Sequence, residues 1–145
     1  MIDIDISEEG KVMEITIVIS EKPYINDTAW NALRLAQTAL ASGKRVNLFL
    51  LGDAVYISRK DQSPSENRPN LESLVEELIA GGADVRVCTT CVNSRPYEPG
   101  DEYSTCFIGG TAGEKLGIQH LITGVRMGTM AELLEWTLNT KTISF

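Results

Sequence analysis

The segment RVNLFLLGDAV, residues 45–55, decides the fold. Every residue from Val46 to Leu51 is apolar except Asn47. Such a run is typical of a strand that is buried on both faces of a parallel sheet. Ligands of open parallel sheets bind beyond the carboxyl ends of the strands. Asp53, just past this strand, is therefore a candidate site residue for proton transfer or for orienting a loop, with loop capping as the alternative.

Strands and helices alternate on both sides of this segment. The predicted strands are KVMEITIVIS (11–20) and ADVRVC (83–88), and the predicted helices are NDTAWNALRLAQTALASG (26–43) and a helix from Leu71 to Gly81–Gly82. Apolar residues recur at helical spacing within each predicted helix. This alternation indicates a parallel sheet that is covered by helices on both faces.

The last third of the chain continues the pattern. TAGEKLG (111–117) and TMAELLEWTLN (129–139) each contain the T-x-x-E capping box of a helix start. IQHLITGV (118–125) and TISF (142–145) are predicted as the fourth and fifth strands. The whole sequence thus predicts an α/β fold, a three-layer α/β/α sandwich with a five-stranded parallel sheet, as a single domain over residues 1–145. Alternating Ile and Asp near the start favour a short β-hairpin arm within residues 1–10.

Composition narrows the class of function. The 145 residues are 43% hydrophobic and carry a net charge of −7, with scattered basic residues and no apolar run long enough for a membrane span. Direct nucleic-acid binding and membrane insertion are therefore not expected, because nucleic-acid binders need a basic face. The acidic first residues do not resemble a secretory signal, so we expect a cytoplasmic protein with reduced thiols.

Cys88 and Cys91 form a C-x-x-C pair at the end of the third predicted strand. Backbone N–H groups there, helped by Arg95 or Arg86, would favour a reactive thiolate. The plainer alternative is that Cys88 is a small buried apolar residue. The pair therefore favours thiol chemistry without defining it.

Three other interpretations of these motifs are weaker. Thioredoxin-like chemistry remains an alternative, although CTTC has two β-branched threonines between its cysteines. A zinc site would need Cys106 and His120 as further ligands, and there is no second C-x-x-C. IGGTAGEKLG (108–117) matches neither common phosphate-binding loop. We therefore expect no metal and no cofactor, with His120 structural and Cys106 packed.

Two long segments, 53–70 and 92–110, follow the second and third strands and are predicted to border the site. On the last predicted helix, Trp136 lies off the stripe formed by Met130, Leu133, Leu134 and Leu138. This position suits either a subunit contact or packing at the helix margin.

VNLFLLGDAV, VRVCTTCVNSR and GTMAELLEWTLNTKTISF together resemble the DsrE/DsrF-like family, which includes the TusD-type sulfur-relay subunits. The resemblance spans residues 12–145 and implies a five-stranded parallel sheet and assembly as trimers or hexamers. It also implies a persulfide on the cysteine that matches Cys88, with Arg95 matching the family's arginine. Cys91 places the chain in a subset with C-x-x-C, and Pro96 replaces the family's usual glycine.

The leading hypothesis is a sulfur-relay protein in which Cys88 accepts sulfane sulfur from a donor protein and passes it to an acceptor protein. Arg95 and backbone N–H groups would stabilise the Cys88 thiolate, and Cys91 would protect Cys88 or release its cargo. The alternatives are a dithiol redox protein and a non-catalytic oligomeric binding module.

Overall fold

The computed structural model describes residues 12–145 of the chain. Its strands are β1 (Glu14–Ile19), β2 (Arg45–Leu50), β3 (Asp84–Cys88), β4 (Arg126–Gly128) and β5 (Lys141–Ser144). Its α-helices are α1 (Thr28–Ala41), α2 (Leu71–Ala80), α3 (Thr89–Asn93) and α4 (Met130–Asn139). Short 3₁₀ segments cover Gly52–Ser58, Glu102–Cys106 and Ile118–His120. The predicted arm within residues 1–10 lies outside the described residues.

All strand pairs are parallel, and the order across the sheet is β4-β3-β2-β1-β5. The chain therefore steps outward from β1 to β4 and then returns to place β5 on the other side of β1. The parallel arrangement brings the carboxyl ends of all five strands to one edge. The predicted five-stranded parallel α/β fold is confirmed.

The main core lies on the face of the sheet that α1 and α2 cover. One row of side chains across three strands consists of Ile19, Leu50 and Val87, which pair in register and are fully buried. Alanines of α1 complete the contact, since small side chains let the helix approach the sheet closely. The apolar run of β2 therefore predicts its central position correctly.

The opposite face is more polar, and α4 packs on it. The Trp136 ring meets Phe49 edge to face at 5.9 Å and lies under the Arg86 guanidinium at 4.5 Å. This explains why Trp136 lies off the predicted apolar stripe: it is the residue that anchors α4 to the sheet. The stripe itself faces outward, because Met130, Leu134 and Leu138 are 56%, 58% and 71% exposed.

The start of α4 is predicted correctly. Thr129 Oγ1 accepts the Glu132 N–H, and the Glu132 carboxylate accepts the Thr129 N–H. This reciprocal pair satisfies two backbone donors that a helix start leaves unpaired. The helix continues because apolar and helix-forming residues follow the box.

The predicted helix over 111–117 is wrong. Thr111 N–H donates to the Glu114 carboxylate as a capping box would, but Gly113 adopts a φ of +84° and the chain turns away. Instead of continuing a helix, Lys115 forms a β-bridge with Pro96. The glycines before and within this segment thus convert a helix-start motif into a turn.

The predicted fourth strand over 118–125 is also wrong, because β4 begins only at Arg126. Leu121, Ile122 and Val125 of that segment are buried but pack from a loop, whereas Ile118 in the preceding 3₁₀ turn is 50% exposed. Ile122 N–H donates to Ser58 O, and Leu121 forms an antiparallel bridge with Arg59. The hydrophobic pattern therefore predicted the burial of three of these four residues but not the secondary structure.

Candidate functional site

Cys88 is the last residue of β3 and the residue before α3. Its side chain is 5% exposed, and its Sγ accepts the backbone N–H of Cys91 at 3.3 Å. The backbone turns immediately after the strand, so residues 88 and 91 are brought to the same side of the turn. The predicted backbone donor to Cys88 is therefore present, and the side chain is buried, as the plainer alternative expected.

Cys91 lies on the first turn of α3 and is more exposed than Cys88. Its Sγ accepts the backbone N–H of Gly52 at 3.2 Å. Gly52 lies two residues past the end of β2 and has a φ of +57°, a left-handed conformation that glycine adopts without steric cost. The glycine after β2 therefore turns the backbone so that its N–H reaches the thiol on the neighbouring connection.

Four charged side chains form a network beside Cys91. Arg95 Nε donates to Asp53 Oδ1 at 2.8 Å, and Asp53 Oδ2 lies 3.9 Å from Lys22 Nζ. Lys22 also pairs with Asp101 at 3.1 Å. Arg95 Nη1 donates to the Cys91 carbonyl at 3.0 Å. The network joins the segments that follow β1, β2 and β3 into one rim around the cysteine pair.

Burial and the neighbouring thiol set the proton affinity of Cys88. Burial raises the pKa of the Cys88 thiol above its ordinary value, and a hydrogen bond with the Cys91 thiol raises it further. The backbone N–H of Cys91 acts in the opposite direction, because it stabilises the thiolate. Cys88 is consequently held mainly as a thiol near neutral pH.

Arg95 is tied to Cys91 and Asp53. Burial alone would lower the pKa of Arg95, but its hydrogen bond and attraction to Asp53, with the nearby Cys91, raise that pKa overall. The contacts of its guanidinium are to the Asp53 carboxylate, the Cys91 carbonyl and Ser94. All four predicted site residues, Cys88, Cys91, Arg95 and Asp53, are therefore brought together at the expected edge of the sheet.

Cys106 and His120 make contacts away from this cluster. Cys106 is buried, with its Sγ 3.8 Å from Arg68 Nη1. His120 Nδ1 accepts the Gly117 N–H, its Nε2 contacts Glu114, and its ring stacks on Tyr97 at 4.1 Å. Both side chains contribute to packing of the long connections.

The described residues contain no group of three or more His, Cys, Asp or Glu side chains placed to hold a metal ion. Between residues 12 and 145 there is also no helix with the length and apolar character needed to cross a membrane.

Sequence reasoning missed Gly52, Lys22 and Asp101. Gly52 carries a signal, since a glycine between a buried strand and an aspartate marks a sharp turn at the strand end. Lys22 and Asp101 carry none, because each is one charged residue among many in its segment and only the fold brings them to Asp53.

The arrangement defines a class: a parallel α/β domain with two adjacent thiols at the carboxyl edge of its sheet. The DsrE/DsrF-like family model matches residues 13–145. The chain belongs to the DsrE/DsrF-like family.

Relatives cover nearly the whole chain. An uncharacterized protein of Methanopyrus kandleri is 35% identical over 90% of this chain and 92% of its own length. One of Methanocaldococcus jannaschii is 37% identical over 84% and 90%. Protein YchN of Escherichia coli K12 is 32% identical over 88% and 94%. The crystal structure of E. coli YchN matches with a TM-score of 0.71 at 30% identity, covering 92% of this chain and 100% of that one.

Proposed function

We propose that this protein is a cytoplasmic sulfur-relay protein that holds sulfane sulfur on Cys88 as a persulfide. The observation that carries the proposal is the pair of free cysteines, Cys88 and Cys91, at the sheet edge, each with a backbone N–H on its sulfur. Membership of a family that includes sulfur-relay members supports the same conclusion. The partners would be a sulfur donor protein and a sulfur acceptor protein.

The chemistry needs no cofactor. A thiolate of the pair attacks the outer sulfur of a donor persulfide, the donor S–S bond breaks, and the donor leaves as a thiolate. The sulfur then resides as Cys88–S–SH. An acceptor thiolate attacks the outer sulfur in the same way, and the cysteine returns as a thiolate that is protonated again. No net oxidation occurs, because each S–S bond that breaks is replaced by one that forms.

Surrounding groups would favour the anions in these steps. Backbone N–H groups on both sulfurs stabilise negative charge. Arg95 adds a cation beside Cys91, and Asp53 holds that cation in position. Asp53 is therefore a positioning residue in this proposal.

A dithiol redox protein is the second candidate. The closeness of the two cysteines favours it: Cys88 Sγ accepts the Cys91 N–H at 3.3 Å, and adjacent thiols can close to a disulfide. That function requires both cysteines equally, whereas a carrier retains its cargo on one.

We also propose that the protein is a homo-oligomer. We expect this assembly both for a sulfur-relay protein and for a non-catalytic binding module. Three leucine-sized side chains on α4, Met130, Leu134 and Leu138, are more than half exposed at i, i+4 and i+8. Exposed apolar stripes of this kind mark protein–protein contacts. A second copy of the chain is the occupant we expect.

The test of the relay is intact-mass analysis after incubation with glutathione persulfide, removal of the donor and a brief chase with a small thiol. Wild type should retain the mass of one added sulfur atom, and Cys88→Ser should retain none. Cys106→Ser serves as the matched control and should behave as wild type. Retention of the adduct by Cys88→Ser would show that the assignment to Cys88 is wrong. A reversible Cys88–Cys91 disulfide with no sulfur adduct in wild type would favour the redox protein.

A further inference from the structure

We infer that sulfur enters and leaves the protein through Cys91, while Cys88 is the inner thiol that stores it. This inference rests on the proposed persulfide function and assigns the order in which the two cysteines act. It reverses the roles that the position of Cys88 at the strand end suggests from sequence.

Accessibility is the first argument. Cys88 is 5% exposed, while Cys91 is only partly buried on the first turn of α3. A thiolate of a folded carrier must approach the outer sulfur of a donor in line with the S–S bond that breaks. A macromolecular donor can reach the thiol at the surface of the turn before it reaches the one beneath it.

The groups around Cys91 are the second argument. Its sulfur accepts the Gly52 N–H, and the Arg95 guanidinium contacts the carbonyl of the same residue. A thiolate is the reactive form of cysteine, and N–H donors and cations stabilise it. Cys88 also has a backbone donor, but its surroundings favour the protonated thiol. The charged side chains of the site therefore serve the outer thiol.

The closeness of the two cysteines is the third argument. Cys88 Sγ accepts the backbone N–H of Cys91 at 3.3 Å across the start of α3, so sulfur can pass from one side chain to the other. The Cys88 thiol first gives its proton to the outer sulfur of Cys91–S–S⁻, which leaves a Cys88 thiolate beside Cys91–S–SH. The Cys88 thiolate attacks that outer sulfur, the Cys91 S–S bond breaks, Cys88–S–SH forms, and Cys91 leaves as a thiolate. Sulfur, charge and electrons balance within the pair.

Storage on the inner cysteine has a chemical consequence. A persulfide on the exposed thiol would lose its sulfur to any small thiol in solution, whereas burial of Cys88 excludes such attack. Delivery then requires return of the sulfur to Cys91. An acceptor protein that docks at the rim would receive it there.

The experiment follows the kinetics of loading with glutathione persulfide in wild type, Cys91→Ser and Cys88→Ser, before any thiol chase. Fragment-ion mass spectrometry locates the added sulfur. In wild type the adduct should appear first on Cys91 and then on Cys88. Cys91→Ser should load Cys88 at least tenfold more slowly. Cys88→Ser should load Cys91 at the wild-type rate and lose the adduct to a small thiol much faster than wild type.

Loading of Cys88 at the same rate in wild type and in Cys91→Ser would overturn this inference and leave the proposed relay function intact. Failure of wild type to take up sulfur would overturn the relay and the inference with it. A second measurement does not depend on persulfide: iodoacetamide should label Cys91 of the native protein faster than Cys88. Faster labelling of Cys88 would contradict Cys91 as the outer thiol, and comparison of the melting temperatures would confirm that each variant is folded.

Discussion

Arg95 Nε donates to Asp53 Oδ1 at 2.8 Å, which ties the turn after β3 to the turn after β2. Both side chains are less than one third exposed, so solvent screens the pair less than it screens a pair on the open surface. We expect a double-mutant cycle with Asp53→Asn and Arg95→Gln to give a coupling energy of about 1 kcal/mol, measured by urea unfolding. Additive effects of the two substitutions would contradict this coupling.

Arg95→Gln is expected to slow the reaction of Cys91 with iodoacetamide near pH 7. The substitution removes the guanidinium that donates to the Cys91 carbonyl and so loosens the turn that holds the Cys91 sulfur against the Gly52 N–H. For a partly exposed charge the effect should be about fivefold, which corresponds to roughly 1 kcal/mol. Arg45→Gln is the control, because Arg45 begins β2 at the opposite edge of the sheet. A loss of reactivity in both variants would remove the argument for Arg95.

Much of this site was predictable from the sequence. Buried strands that end at Asp53 and Cys88 bring both residues to one edge, because parallel strands share a direction. The exposure of the two cysteines was not predictable. It depends on how the turn after β3 packs against Gly52. The two residues in this contact, Gly52 and Cys91, are 39 positions apart in the sequence.

The difference between local interactions and contacts of distant residues also explains which features of α4 the sequence predicted. Its capping box is a local interaction between Thr129 and Glu132, and the sequence predicts it correctly. Which face of α4 meets the sheet depends on Phe49 and Arg86, which lie far away in the chain. The Trp136 ring is large and has both an aromatic and a cationic partner there, so it prevails over the aliphatic stripe.

Leu134→Glu is expected to reduce the mass of the assembly, as measured by size-exclusion chromatography with light scattering. Leu134 is the centre of the exposed stripe on α4, and a carboxylate there would be costly to bury between two copies. Asn139→Glu places the same charge at an exposed position off the stripe and should leave the mass unchanged. An unchanged mass for Leu134→Glu would show that the stripe is not the contact.

The stability contributed by Cys88 is expected to fall at alkaline pH. Its pKa in the folded protein is raised above the ordinary value of 9.0, so the folded state holds this proton more tightly than the unfolded chain. The stabilisation is complete below the ordinary pKa and is lost as the pH rises through the raised pKa. Serine does not titrate in this range.

The free energy of unfolding of wild type, relative to that of Cys88→Ser, should therefore decrease between about pH 8 and about pH 10, a range that brackets an ordinary thiol pKa. Urea unfolding at both pH values measures it. The difference between the two proteins should stay constant between about pH 6 and about pH 7, which provides the internal control. A difference that is equally constant across the alkaline range would contradict the raised pKa.

Arg59 is expected to stabilise the long connection after β3 mainly through packing. The side chain has no exposed surface, stacks on Tyr97 at 3.9 Å and donates to the carbonyls of Ile108 and Gly109. Burial lowers the pKa of Arg59, and its Nε is buried without a hydrogen-bond partner among residues 12–145, so the charge carries a cost.

Arg59→Ala removes both the packing and the hydrogen bonds, and we expect a loss of about 3 kcal/mol in the free energy of unfolding. Arg59→Met keeps most of the apolar stem and also removes the buried charge, so its loss should be smaller, about 1 kcal/mol. Urea unfolding of the two variants gives the comparison. Equal losses would mean that the contacts of the guanidinium, rather than packing of the apolar stem, hold this connection against Arg59.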